Sequence, residues 1–280
     1  MGRVARCEHW LIPAVAAFII ASVVGCGEMP TKRPAISSPT TLAVSTSPDG
    51  TYRDFIYGGL PKSPQKLTLL RNKGYLVGYS ENHKDPVWVA YRLGRVDHPA
   101  LLPRPTKFSV DDRTVSRVRS DDYAKTGYDR GHMAPNHAIA TRFGEQAQLE
   151  TFLMSNVCPQ TPDLNRKAWE RLEATEADVY ANRFEEIWVI DGPIFDDQPD
   201  KLSTGVDVPR AFFKIIVDEV AGKPRILAFI MPQAVKASVS PKAFLTSVEE
   251  IEKETGLMFF TELPSEEIRK LEEKTAKRMW

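Results

Sequence analysis

The chain has 280 residues, 37 basic and 37 acidic, with 42% hydrophobic and 26% charged residues. That length suits one large domain or two small ones, and that apolar share is enough to bury a core, which excludes a disordered or fibrous chain. Net neutrality gives no overall pull toward a polyanion, but the charge is uneven: residues 91–142 carry ten basic against six acidic groups, and residues 245–280 carry six against nine. A basic middle can focus a polyanion, and solvated surface charge is the plain alternative. Cys7 and Cys26 lie near the N-terminus, which leaves Cys158 alone in the body and no disulfide framework. Cys158 has no activating motif around it and reads as a small buried apolar residue.

Residues 1–25 begin with Arg3 and Arg6 and continue into an apolar run that Pro13 interrupts. The run is short for a membrane span and has the order of a secretory signal. It ends Val23-Val24-Gly25-Cys26, which resembles the bacterial lipobox. The resemblance implies cleavage before Cys26, lipidation of its thiol, and export to the cell envelope, at the outer membrane or its periplasmic face. Membrane contact would then run through the lipid anchor only. Residues 26–51 are rich in Pro, Ser and Thr and read as a flexible tether. Residues 52–280 are the expected folded domain.

In that domain, residues 67–70, 75–79 and 87–93 have β-type composition and turns between them, which predicts an antiparallel meander. Residues 94–125 are irregular and basic; so long a stretch in a compact domain is functional or mobile. Residues 144–154 and 163–184 predict helices, the second with Asp163 as N-cap. An apolar strand at 186–195 is expected to stop at Gly192-Pro193, and residues 212–217 and 225–231 predict two more strands joined at Ala221-Gly222. An amphipathic helix is expected at 241–254, ended by Gly256, and a charged helix at 264–277. Strands and helices segregate, so the fold class is α+β with a mostly antiparallel sheet and flanking helices.

The chemistry gathers in Tyr128-Asp129-Arg130-Gly131-His132-Met133-Ala134-Pro135, then Ser155-Asn156-Val157-Cys158-Pro159-Gln160, then Leu164-Asn165 and Trp169-Glu170-Arg171-Leu172-Glu173. Phosphodiester hydrolysis needs a base for water, and countercharge for the phosphate oxygens and the leaving oxygen. His132 can supply the base, since an imidazole accepts a proton near neutral pH. Asp129 either orients it or acts as a structural cap. Gly131 lets the backbone turn tightly before the base, and Arg130 is a candidate phosphate clamp. Asn165 offers a neutral oxygen at a helix start. Glu173 follows eight residues later, about 12 Å along an α-helical axis, so the two share an ion only through bridging water. Magnesium suits such a site because it keeps several waters; manganese could take its place. Trp169, between them, reads as packing.

These segments, in this order, resemble the DNA/RNA non-specific endonuclease family over roughly residues 75–260, including Asp191-Gly192-Pro193-Ile194-Phe195 and Met231-Pro232-Gln233. The resemblance implies a ββα-metal motif, with the histidine on a hairpin and the asparagine on the helix after it. His132 would be the general base, Asn165 the sole direct protein ligand to magnesium, and Glu173 the holder of metal-bound waters. Arg130 and Asn156 would contact or position the phosphate, and Arg104 would meet the transition-state charge. The family's further arginine is replaced by Ala177. The implied substrates are DNA and RNA, gripped by the sugar-phosphate backbone with little sequence preference and leaving 5′-phosphate ends; no groove-reading motif is visible. Two alternatives remain: a weak or inactive nuclease-fold lipoprotein that only binds nucleic acid, and a hydrolase of another phosphodiester.

Overall fold

A computed structural model describes residues 52–99, 101–263 and 266–280. The expected signal, the expected tether and the expected lipidation site, Cys26, lie outside the described residues. Among the described residues nine strands form, in chain order: β1 (Thr68–Arg71), β2 (Leu76–Ser80), β3 (Asp85–Gly94), β4 (Asp129–His132), β5 (Val157–Gln160), β6 (Glu186–Ile194), β7 (Ala211–Val220), β8 (Lys223–Pro232) and β9 (Leu245–Thr246). Seven of them make one sheet in the order β1-β2-β3-β6-β7-β8-β9, and β4 and β5 pair separately. Every strand pairing is antiparallel. The class is α+β, and the expected meander is β1-β2-β3.

Alternation along the strands divides the sheet's two faces. Phe212 and Ile216 of β7, with Val89, Tyr91 and Val189, join one buried cluster, which also holds Met133, Leu164, Trp169 and Leu172. Phe213, Ile215 and Val217, with Trp88 and Ile190, join the other, under Val248, Ile251 and Ile268. At about 1.5–3 kcal/mol for each fully buried large apolar side chain, both clusters contribute heavily to stability. At Gly78 an added Cβ would lie 2.3 Å from the Trp88 indole, so glycine is what lets that ring close over β2. β6 does not stop at Gly192-Pro193; it runs through to Ile194, and a Cβ at 192 would sit 2.3 Å from the Val87 carbonyl. Glycine there permits a close backbone approach rather than ending the strand. The β7–β8 hairpin turns on Ala221 and Gly222, with φ of 52° and 75°, as a two-residue loop between right-twisted strands demands.

The helices differ more from expectation. α1 (Asn136–Thr151) begins eight residues before the expected start and bends at Gly144, where φ is 81°. Its first half buries Asn136, Ala138, Ile139 and Ala140, small or polar residues that make a weak apolar period. The expected helix over 163–184 forms as one helical run of alternating winding. It is π-type over Leu164–Trp169, α2 over Glu170–Ala174, π-type over Thr175–Tyr180 and α3 over Ala181–Phe184. Asp163 is itself helical and its side chain caps nothing; the Thr161 carbonyl accepts the Asn165 N–H at 2.9 Å instead. The helix expected at 241–254 divides into a 3-10 turn at Pro241–Phe244, strand β9, and α4 (Val248–Thr255), capped by Ser247 and closed by Gly256 in the left-handed conformation. α5 (Glu266–Glu272) is shorter than expected.

Candidate active site

Strand β4 pairs with β5 so that Gly131 faces Cys158 and His132 faces Val157. Gly131 is a strand residue, not a turn. An added Cβ would meet Gln160 Oε1 at 2.1 Å, so glycine makes room for the Gln160 side chain beside the base. The chain just after His132 is clamped by Asn156, whose Oδ1 accepts from the Ala134 N–H at 2.8 Å. Its Nδ2 donates to the Ala134 and Thr151 carbonyls, each at 3.0 Å. Asn156 is fully buried, with its amide bonded to backbone, so it shapes the loop that carries the base.

His132, Asn165, Glu173 and Arg104 all line one cavity of about 490 Å³, together with Asn136, His137, Arg166 and Glu170. Neither Arg130 nor Asn156 lines it. Arg130 shares a side of β4 with His132, but it sits two residues back, about 7 Å along the strand. Its Nε donates to the Ser120 carbonyl at 3.0 Å, and its guanidinium lies over Phe108 and Tyr123. The candidate clamp is thus a buttress for the neighbouring loop.

Asp129 falls on the other side of β4 and does not orient the imidazole. It accepts from Asn165 Nδ2 at 3.0 Å and from Arg166 Nε and Nη2 at 2.7 and 2.6 Å. Burial pushes its carboxyl up, but those bonds outweigh burial and hold it below its ordinary value. A carboxylate only accepts, so the Asn165 amide nitrogen must face Asp129, and its oxygen Oδ1 is the atom left for the cavity.

His132 is packed between Phe108 and Phe152, with ring centroids 5.2 and 4.9 Å away. Arg104 lies over the outer face of Phe152 at 5.2 Å. Nε2 of His132 is closed off with no hydrogen-bond partner, which leaves Nδ1 as the ring atom for the cavity. Burial, with Arg104 adding repulsion, lowers the imidazole to about 3. The ring is therefore neutral near pH 7, and the same burial that keeps it neutral makes it a weaker base than a solvated imidazole.

Behind Glu173 lies a group the sequence reading did not assign. Lys214, at 0% exposure, places Nζ 2.8 Å from Asp191, 3.1 Å from Glu176 and 3.0 Å from the Tyr91 hydroxyl, and 4.5 Å from the centre of the Trp169 ring. Burial pulls this ammonium down, but Asp191, Glu176 and Glu173 together hold it above its ordinary value. Burial pushes Glu173 up to about 8, with Lys214 opposing it, and its Oε1 has no partner. One cation thus faces three carboxylates. That imbalance, with Glu173 lining the cavity and Asn165 Oδ1 free, fits a hydrated divalent cation. Among the described residues no three His, Cys, Asp or Glu side chains gather as a metal-binding group. An ion here would rest on Asn165 directly, with Glu173 holding its water. Ala177 points into the core, and its carbonyl accepts from Arg142 Nη2 at 2.7 Å.

The sheet, the separate β4–β5 pair and the helical run after it define a class: the DNA/RNA non-specific endonucleases, which are phosphodiester hydrolases. That family matches residues 54–266, and the chain belongs to it. Among its relatives is the mitochondrial nuclease EXOG of Danio rerio, 31% identical over 76% of this chain and 66% of that protein, just under two thirds of its length. Human mitochondrial endonuclease G is 30% identical over 72% of this chain and 71% of its own, and a nuclease of a Nostoc strain is 28% identical over 88% and 91%. A crystal structure of the EndoG/EndoGI complex superposes with a TM-score of 0.63 at 27% identity, covering 70% of this chain and 86% of that one.

Proposed function

We propose that the chain is a metal-dependent endonuclease that hydrolyses DNA and RNA with little sequence preference. The observation that carries this is the convergence of His132, Asn165, Glu173 and Arg104, distant in sequence, on one cavity. Nδ1 of His132 takes the proton of the attacking water. Phe108 and Phe152 keep that ring neutral and fixed. Asn165, held by Asp129, and Glu173 would hold magnesium, or manganese in its place. When bound, the ion supplies Lewis-acid stabilisation of the phosphate and the leaving oxygen. Arg104, at the cavity wall, countercharges the phosphate oxygens. The alternative of an inactive binding module rests on Ala177 alone, a residue turned away from the cavity.

The test is plasmid nicking with magnesium and with EDTA. Cutting in magnesium only is expected. No cutting in either would favour the binding module, and fast turnover of bis-nitrophenyl phosphate with none of plasmid would favour another diester as substrate. We also propose that the protein is exported and lipid-anchored at Cys26, which the lipobox-like Val23-Val24-Gly25-Cys26 supports. Cys26→Ser is expected to move it from the membrane fraction to the soluble one; a variant that still pelleted would remove the anchor.

A further inference from the structure

The basic loop before β4 sorts its cations into two kinds. Arg113 is consumed by Asp111 at 2.7 Å and by the Arg71 carbonyl and Asn72 Oδ1, at 2.7 and 2.9 Å. Arg117 is consumed by Asp112 and by the Thr114 carbonyl. Arg104, Lys107 and Arg119 have no ion-pair partner among the described residues. Arg104 lines the cavity of His132. Lys107 and Arg119 line a second cavity of about 340 Å³, with Phe108, Ser120 and one carboxylate, Asp121.

The two cavities flank a single aromatic wall. Phe108 lines the second, and its ring lies 5.2 Å from that of His132, which lines the first. Arg130, beneath the same wall, holds the second cavity's rim by its bond to the Ser120 carbonyl. Arg104 and Lys107 are three residues apart, at most about 10 Å along the chain. A nucleic-acid strand advances about 3.4 Å per nucleotide in a duplex, so the same strand could meet both within one to three nucleotides.

We propose that the second cavity is a nucleotide subsite, in which Lys107 and Arg119 hold a backbone phosphate one to three nucleotides from the bond cut beside His132. This rests on the nuclease reading above. Unpaired cations beside an aromatic ring are what a strand-tracking groove needs, because phosphate contact and base stacking both tolerate any sequence.

The test is binding of fluorescent single-stranded oligonucleotides, two to eight nucleotides long, to the full-length protein in EDTA, which holds cleavage off. The parent is expected to gain affinity stepwise up to about five nucleotides. The Lys107→Ala/Arg119→Ala double variant should lose that gain, and its log affinity against log salt should flatten by about 0.7, the loss of one single-strand phosphate contact. Lys107→Arg should keep the parent's length dependence. An unchanged length dependence and salt slope in a folded double variant would overturn the subsite while leaving the nuclease reading intact. A parent that bound no oligonucleotide of any length yet nicked plasmid would overturn the subsite alone; one that did neither would overturn both.

Discussion

The two faces of the central sheet are built to different rules. Beneath α4 and α5, Trp88, Phe213, Ile215 and Val217 pack with apolar neighbours. On the face that carries the cavity, β7 places Lys214 between Phe212 and Ile216, and β6 answers with Asp191. A buried ion cluster is a poor way to gain stability, because desolvating the charges offsets most of their attraction. Its presence on one face only shows where the fold has given up stability for a charged floor under the helical run that carries Asn165 and Glu173.

The largest expected effect is on the chemistry. His132→Ala should lower turnover by about 10²–10⁴-fold, the usual contribution of a general base, while oligonucleotide binding persists; a near wild-type rate would take the base role from this residue. Substitutions on the two faces should then separate. Phe213→Ala is expected to cost about 3–5 kcal/mol of stability, read by denaturant unfolding, yet leave turnover below the melting transition nearly intact. Lys214→Met should cost a similar 3–5 kcal/mol, because it strands buried carboxylates, and should also weaken magnesium dependence of cutting in the protein that remains folded. Equal behaviour of the two variants would erase the distinction between the faces. Asp129→Ala, which frees the Asn165 amide, is expected to raise the magnesium requirement by about 10–100-fold, as loss of a ligand's supporting partner does; an unmoved metal titration would show that Asn165 needs no such hold.

The smallest effect is on pH. Burial raises Glu252 of α4 to about 7. Its folded value thus lies above its unfolded one, the native state binds the extra proton, and stability from this group is full below about pH 4.5 and is lost as pH rises to about 7. Glu252→Gln should flatten that part of the stability profile by less than the core substitutions cost. A profile of unchanged slope would mean that Glu252 does not titrate there.

Much of this was legible in the sequence because it is local. The meander, the Ala221-Gly222 hairpin and the Asp129–Pro135 motif announce themselves within a few residues. The first half of α1 did not, since Asn136 to Ala140 bury small or polar side chains and leave no apolar rhythm. The π-type turns were illegible too, because composition does not record winding, and the α-helical spacing assumed between Asn165 and Glu173 is not the one the chain adopts. The misreading of Asp129 has a simpler cause: adjacency in a motif suggested contact with His132, whereas strand alternation sends the two apart. Asn156 and Lys214 show the same limit from the other side. A polar residue in a motif reads as a contact to substrate, and a lysine in an apolar strand reads as an exception, until burial shows the first tied to backbone and the second to carboxylates.

Burial and the nearby Arg104 hold the His132 imidazole well below its ordinary value, so near neutral pH it adds nothing to the attraction that draws a polyanion in. On the proposed reading, grip by Lys107 and Arg119 and proton transfer by His132 fall to separate side chains. Added salt can then loosen the hold on a strand without disarming the proton acceptor, and changes at Lys107 and Arg119 can retune which substrates are captured while the reacting centre is left alone.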